Sequence, residues 1–95
     1  MEATPLSVER LSRVLDKIVD RSAGETFEIR RDFPDGNITG YIVRRAFDGI
    51  RTAERQADLW NYLREELGPD SVDVGLILAF SPEEFSDWLE DAKSG

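Results

Sequence analysis

Two arginine doublets, Arg30-Arg31 and Arg44-Arg45, followed by Arg51 and Arg55, are the side chains of this chain best suited to gripping an anion. From position 28 to 55 there are six arginines against five acids, with Tyr41 between the doublets. If the doublets sit on paired strands, alternation puts Arg30, Tyr41 and Arg45 on one polar face that could stack on a base or hold a phosphate. The plainer use of the same arginines is cross-strand pairing with Glu28 and Asp32 on a solvated surface. A second concentration lies at the other end, where residues 82–91 hold five acids and no base. Glu83, Glu84 and Asp87, with Glu90 and Asp91, would suit a basic protein partner. Glu83 and Glu84 also favour a helix N-terminus through its dipole, which accounts for part of the pattern.

The chain has no histidine and no cysteine. The commonest general base, the commonest transition-metal ligand and the thiolate are thereby excluded. Asp70 and Asp73 are hard oxygen donors at a spacing that fits no EF-hand loop. No Gly-rich phosphate loop and no nucleophile elbow occur. The expectation is a protein that is not an enzyme and carries no cofactor or metal. Trp60 and Trp88 each fall on the apolar side of a helical pattern, which predicts core packing rather than ligand stacking.

These residues need a scaffold, and 95 residues with 40% hydrophobic and 34% charged side chains suit one α+β domain with an ordered core over about 7–92. Val8, Leu11, Leu15 and Ile18 predict a helix over 7–21, closed by Ser22-Ala23-Gly24. The period then changes to two, and Phe27, Ile29 and Phe33 alternate with Glu28, Arg30 and Asp32 as in a half-buried strand. Pro34-Asp35-Gly36-Asn37 supplies a turn, and Ile38 to Phe47 reads as the return strand. With Asp35-Gly36 as a two-residue loop, Ile29 would face Ile42, Phe33 would face Ile38 and Arg30 would face Tyr41.

Thr52 is placed to cap a second helix with Leu59, Trp60, Leu63 and Leu67 inside and Gly68-Pro69 at its end. Val72 to Phe80 reads as a strand more covered than the hairpin. Ser81-Pro82-Glu83-Glu84 combines an N-cap serine, proline at the first helical position and glutamate at the third, a capping box that opens the last helix. Phe85, Trp88, Leu89 and Ala92 form its apolar side. The order is αββαβα, a three-stranded mixed sheet with helices on one face and a right-handed crossover to the third strand.

Phe47-x-Gly49, Arg55 early in the next helix, and Ala79-Phe80-Ser81-Pro82-Glu83-Glu84-Phe85 resemble the BolA-like proteins, which have a class-II-KH-like fold. The resemblance spans roughly 8–92 and implies the same element order. It departs at two positions. The family's Arg-His pair is Arg55-Gln56 here, and the histidine near the start of its third strand aligns with Asp73. In that family this histidine, with a histidine or cysteine of the hairpin loop, helps hold a 2Fe–2S cluster shared with a monothiol glutaredoxin. Asp73 is a poor substitute ligand. The resemblance thus implies a glutaredoxin-like partner but not the cluster. The Gly-x-x-Gly loop with which KH domains clamp a nucleic-acid backbone is absent too.

The net charge of −8 opposes non-specific attachment to nucleic acid or anionic lipid. No apolar run is long enough to cross a bilayer, and Met1-Glu2-Ala3-Thr4 lacks the regions of a signal peptide, so a cytoplasmic protein is expected. The leading expectation is a small adaptor or regulatory module that binds another protein through the hairpin face or the last helix. Two alternatives stand beside it: a nucleic-acid-binding regulator using Arg30, Tyr41, Arg44 and Arg45, and an acidic inhibitor or immunity-type protein for a basic partner.

Overall fold

The computed structural model describes residues 6–31 and 36–94. Its elements are α1 (Val8–Asp16), β1 (Thr26–Arg31), β2 (Ile38–Val43), α2 (Thr52–Leu67), β3 (Val74–Phe80) and α3 (Pro82–Ser94). The sheet order is β1-β2-β3, with β1 and β2 antiparallel and β2 and β3 parallel. This is the expected αββαβα arrangement on a mixed three-stranded sheet.

Ser7 caps α1 by accepting from the Arg10 amide, and Leu11, Val14 and Leu15 face inward at helical spacing. The helix is shorter than 7–21 because Lys17 is already its C-cap, and Asp20 then caps a separate 3₁₀ turn, Arg21–Ala23. Gly24 closes that turn at φ 83°, where a side chain would strain the backbone. α2 starts with Thr52 inside the helix. Arg51 occupies the N-cap and makes no side-chain capping bond.

Leu59, Leu63 and Leu67 of α2 meet Leu11 and Leu15 of α1 over Ile38, Ile42, Ile77 and Ala79 of the sheet. Leu6 closes this core at its α1 end, its amide donating to Asp73 at 2.9 Å and its carbonyl accepting from Arg31. Tyr62 ties α2 to α1 by donating to the Val14 carbonyl at 2.7 Å.

The hairpin register differs from the expected one. Ile29 pairs with Gly40, Arg30 with Thr39 and Glu28 with Tyr41, a slip of two residues that leaves every side chain on its expected face. Gly40 explains the slip, because a Cβ there would lie 1.9 Å from the Glu28 carbonyl oxygen. Only glycine lets β1 approach β2 so closely at this point. Residues 32–35, with Phe33 and Asp35 of the expected turn, lie outside the described residues.

β2 also ends sooner than Phe47. After Val43 the chain turns through a 3₁₀ segment, Arg45–Phe47, which buries Phe47 and carries Arg45 off the sheet. β3 lies at an edge rather than in the covered centre. Leu76 is 62% exposed and Leu78 39%.

Candidate functional site

The open side of the sheet is built by an irregularity in β3. Ile38 pairs with Val74 and Gly40 with Ile77, so β3 carries one residue more than β2 over this stretch. Such a bulge re-aims the side chains that follow it. Val74, Ile77 and Ala79 all reach the buried core, while Leu76, Leu78 and Phe80 turn to the opposite face. Gly75 sits at the bulge, where a Cβ would come within 2.9 Å of Thr39 Cγ2.

On this second face the pairs Glu28–Tyr41, Arg30–Thr39, Tyr41–Leu78 and Val43–Phe80 fix the neighbours. α3 lies over one end of it. The Phe85 ring stands 4.9 Å from that of Tyr41, and the Trp88 ring is 5.8 Å from Tyr41 and 5.6 Å from Phe80. Four aromatic rings therefore hold α3 to the face turned away from α1 and α2. The helices therefore flank the sheet on both sides and not on one face as expected, α3 apart from the other two, because Leu76, Leu78 and Phe80 make β3 apolar on its second face as well and α3 begins directly at its end.

The rest of the face is open. Glu28, Arg30, Thr39, Tyr41, Leu76 and Leu78 line a groove of about 560 Å³ with Trp88 as its wall. Trp88 is 42% exposed, so it is not the core residue its helical pattern suggested. Tyr41 donates its hydroxyl proton to Glu28 Oε2 at 3.0 Å. Burial among the rings, and then this bond to Glu28, hold the phenol above its ordinary pKa. It is a fixed donor rather than a base.

The structure does not gather the arginines. Arg30 lies at the β1 side of the groove, but Arg44 points elsewhere, its Nε donating to the Ile18 carbonyl at 3.0 Å and its guanidinium 5.1 Å from the Phe47 ring centre. Arg45, expected on the Arg30–Tyr41 face, instead borders a smaller cleft with Asp48, Ser81, Pro82 and Glu83, and its amide donates to Glu25 at 2.7 Å. Arg51 pairs with Glu54 at 2.8 Å. Asp70 pairs with Arg10, and Asp73 is bound to the Leu6 amide. Asp87 is exposed on α3 beside Trp88.

Arg55 is the most committed of them, only 6% exposed. Its Nε donates to the Ile50 carbonyl at 2.6 Å, and its Nη1 donates to the Ala79 carbonyl at 3.2 Å and to Glu84 Oε1 at 2.5 Å. Glu84 also accepts from the Ser81 amide at 2.8 Å, and its own amide donates to Ser81 Oγ at 3.3 Å, which completes the expected capping box. The Arg55 guanidinium, followed by the Ser81 amide, holds the Glu84 carboxyl below its ordinary pKa. Next to Arg55, Gln56 donates to the Ile77 carbonyl at 3.0 Å.

In a parallel pair the backbone groups of alternate residues point away from the partner strand, and Phe80 turns its carbonyl towards β2, to the Arg44 amide. Ile77 and Ala79 therefore face the free edge, and Gln56 and Arg55 of α2 occupy their carbonyls. This blunts β3 as a template for another strand.

The helical pattern assigns Trp88 to the core, and nothing in their residue types singles out Leu76 and Leu78. The signal that could have found them is that Leu76, Leu78 and Phe80 are large and apolar in a strand whose core side is already supplied by Val74, Ile77 and Ala79. A strand apolar on both faces needs cover on both, and one helix remains for the second. No family model, curated protein or solved structure matches this chain.

Proposed function

We propose that this chain is a non-enzymatic binding module, an adaptor or regulatory protein of the cytoplasm, that docks another protein on the open sheet face beside α3. The observation that carries this reading is the continuous exposed apolar surface of Leu76, Leu78 and Trp88 along one groove. Apolar patches of this kind, rimmed by polar side chains, are favoured sites of protein association. The polar groups of the groove support binding over catalysis, since the Tyr41 hydroxyl already donates its hydrogen bond to Glu28.

The element order agrees with what a BolA-like protein would have, and we propose that relation for the scaffold alone. Arg55 and Asp73, which align with that family's motif positions, are engaged in internal contacts here. A glutaredoxin-like partner, if it binds, would have to use the groove rather than a shared cluster.

The test is a double substitution, Leu76→Asp with Leu78→Asp. Both side chains are exposed enough for the fold to survive, which circular dichroism would verify. A defined protein recovered with the native chain after nuclease treatment and lost with the double variant supports the reading. Partners retained at full yield by the folded variant would refute it.

A further inference from the structure

The two edges of the sheet are not alike. At the β3 edge, Gln56 and Arg55 occupy the carbonyls of Ile77 and Ala79, so a strand added there would displace two side-chain hydrogen bonds, one of them from a buried arginine. β1 forms the other edge, and among the described residues it pairs in the sheet with β2 alone. Its six pairs run without an irregularity and Thr26–Arg31 contains no proline, so neither a bulge nor a missing amide guards it. Alternate residues of such a strand turn their N–H and C=O groups outward. Phe27 and Ile29 pack on the core cluster, yet both remain half-buried, whereas Ile38 and Ile42 of the neighbouring strand are sealed. The core face thus stays partly open along β1.

Charge decides which strand fits. A second copy that adds its β1 antiparallel does so about a two-fold axis, and that axis sets one residue opposite its own copy. Centred on Glu28 or on Arg30, the pairing brings like charges face to face, which is destabilising. Centred on Ile29, it sets each Glu28 opposite the Arg30 of the other copy on the exposed side, and Ile29 beside Ile29 on the core side. Phe27 then lies across from Arg31, whose guanidinium is held by the Leu6 and Gly36 carbonyls. Glu28 and Arg30 keep partners of their own, since Glu28 accepts from Tyr41 and Arg30 is engaged within its chain. A carboxylate has about four acceptor sites and a guanidinium about five donors, which leaves each room for a second partner. The net charge of −8 opposes any dimer at long range, but at about 0.15 M salt it is screened beyond about 8 Å, whereas the charges facing each other across β1 lie closer than that.

We infer that β1 is the seam of a two-fold dimer in which two copies join their sheets edge to edge with Ile29 at the axis. The inference does not rest on the groove as a docking surface, and either can fail alone.

Sedimentation equilibrium at about 0.15 M salt tests it. The native chain is expected to show a monomer–dimer equilibrium. Glu28→Arg and Arg30→Glu, each verified as folded by circular dichroism, should each weaken the dimer about tenfold, because each sets like charges opposite one another twice. An equimolar mixture of the two should dimerise again, since the two arginines of one variant then face the two glutamates of the other. Ile29→Cys, in a chain that has no cysteine, should crosslink to its own copy under mild oxidation, and Thr26→Cys should not.

A chain that stays monomeric up to millimolar concentration overturns the inference. So does a dimer indifferent to both charge variants, or a mixture that fails to re-form it. A dimer lost instead in Leu76→Asp belongs to the open face. A monomeric chain whose Phe27–Arg31 amides respond to a synthetic Thr/Val strand peptide gives the edge to the strand of a partner protein and overturns the dimer likewise.

Discussion

On one side of the sheet Ile38, Ile42, Ile77 and Ala79 lie beneath α1 and α2 and are nearly sealed from solvent. On the other side Leu76, Leu78, Tyr41 and Phe80 have only the first turns of α3 and its two aromatic rings. The side chains are of similar apolar character, so composition does not decide which are buried. What differs is the number of helices the chain can bring to each face. The closed face supplies stability, while the open face leaves apolar area of Leu76, Leu78 and Trp88 exposed among the described residues.

The sharpest way to break this comparison is to truncate leucine on each side. Leu63 is 1% exposed and packed in the closed core, so Leu63→Ala should cost about 2–5 kcal/mol in transfer and cavity terms. Leu76→Ala, at 62% exposed, should stay within about 0.5 kcal/mol. Urea denaturation followed by circular dichroism reads both as shifts in midpoint at constant slope. Equal losses would mean that the open face is as packed as the closed one.

Arg55 is next in size, because it joins α2 to the β3 edge and to α3 at once. Arg55→Met keeps most of the stem volume but leaves the Ile50 and Ala79 carbonyls without their side-chain donor, a cost of about 1–3 kcal/mol. It also uncovers part of the β3 edge. Sedimentation should therefore detect association of the variant at concentrations where the native chain is monodisperse. A smaller effect is expected at Trp88, where Trp88→Ala removes ring contacts to Tyr41, Phe80 and Phe85 from a site already half open to water. About 1 kcal/mol is the scale, readable in the same denaturation series.

The closed face was legible in the sequence because helical and two-residue periods state it directly. Leu11 and Leu15, Leu59 and Leu63, and the alternation through Phe27 and Ile29 fix which sides turn inward. The capping box at Ser81 and Glu84 was legible for the same reason, since all its partners lie within one turn. Of the open face, alternation placed Arg30 and Tyr41 outward, but the side built by β3 and α3 was not legible. Its position depends on a bulge at Gly75 and Leu76 that reverses the alternation of β3, and on a register set by the contact of Gly40 with the backbone of β1. Both are relations between strands. The arginines misled for a related reason: a guanidinium near a helix start reads the same whether it faces solvent or, as Arg55 does, reaches across to a strand edge and another helix.

The Arg55–Glu84 contact is also the point where the two layers communicate, since α2 belongs to the closed face and α3 to the open one. Glu84 has its pKa lowered below its ordinary value of 4.5 by Arg55 and then by the Ser81 amide. A carboxyl depressed in the folded state contributes stability above its unfolded pKa, and that contribution is lost as pH falls from there through the folded value. Acid should thus weaken the hold on α3 before it unfolds the core. In a Trp60→Phe background the emission of Trp88 reports α3 alone, and it should shift below about pH 4.5 while the far-ultraviolet signal is still native. Glu84→Gln should remove the pH dependence of that early shift and make the acid limb of the stability curve shallower, though Asp20, whose pKa is lowered chiefly by its bond to Ser22, keeps part of the slope. If Trp88 and the core instead respond together at every pH, the two faces form one cooperative unit and α3 is no looser than α1 or α2.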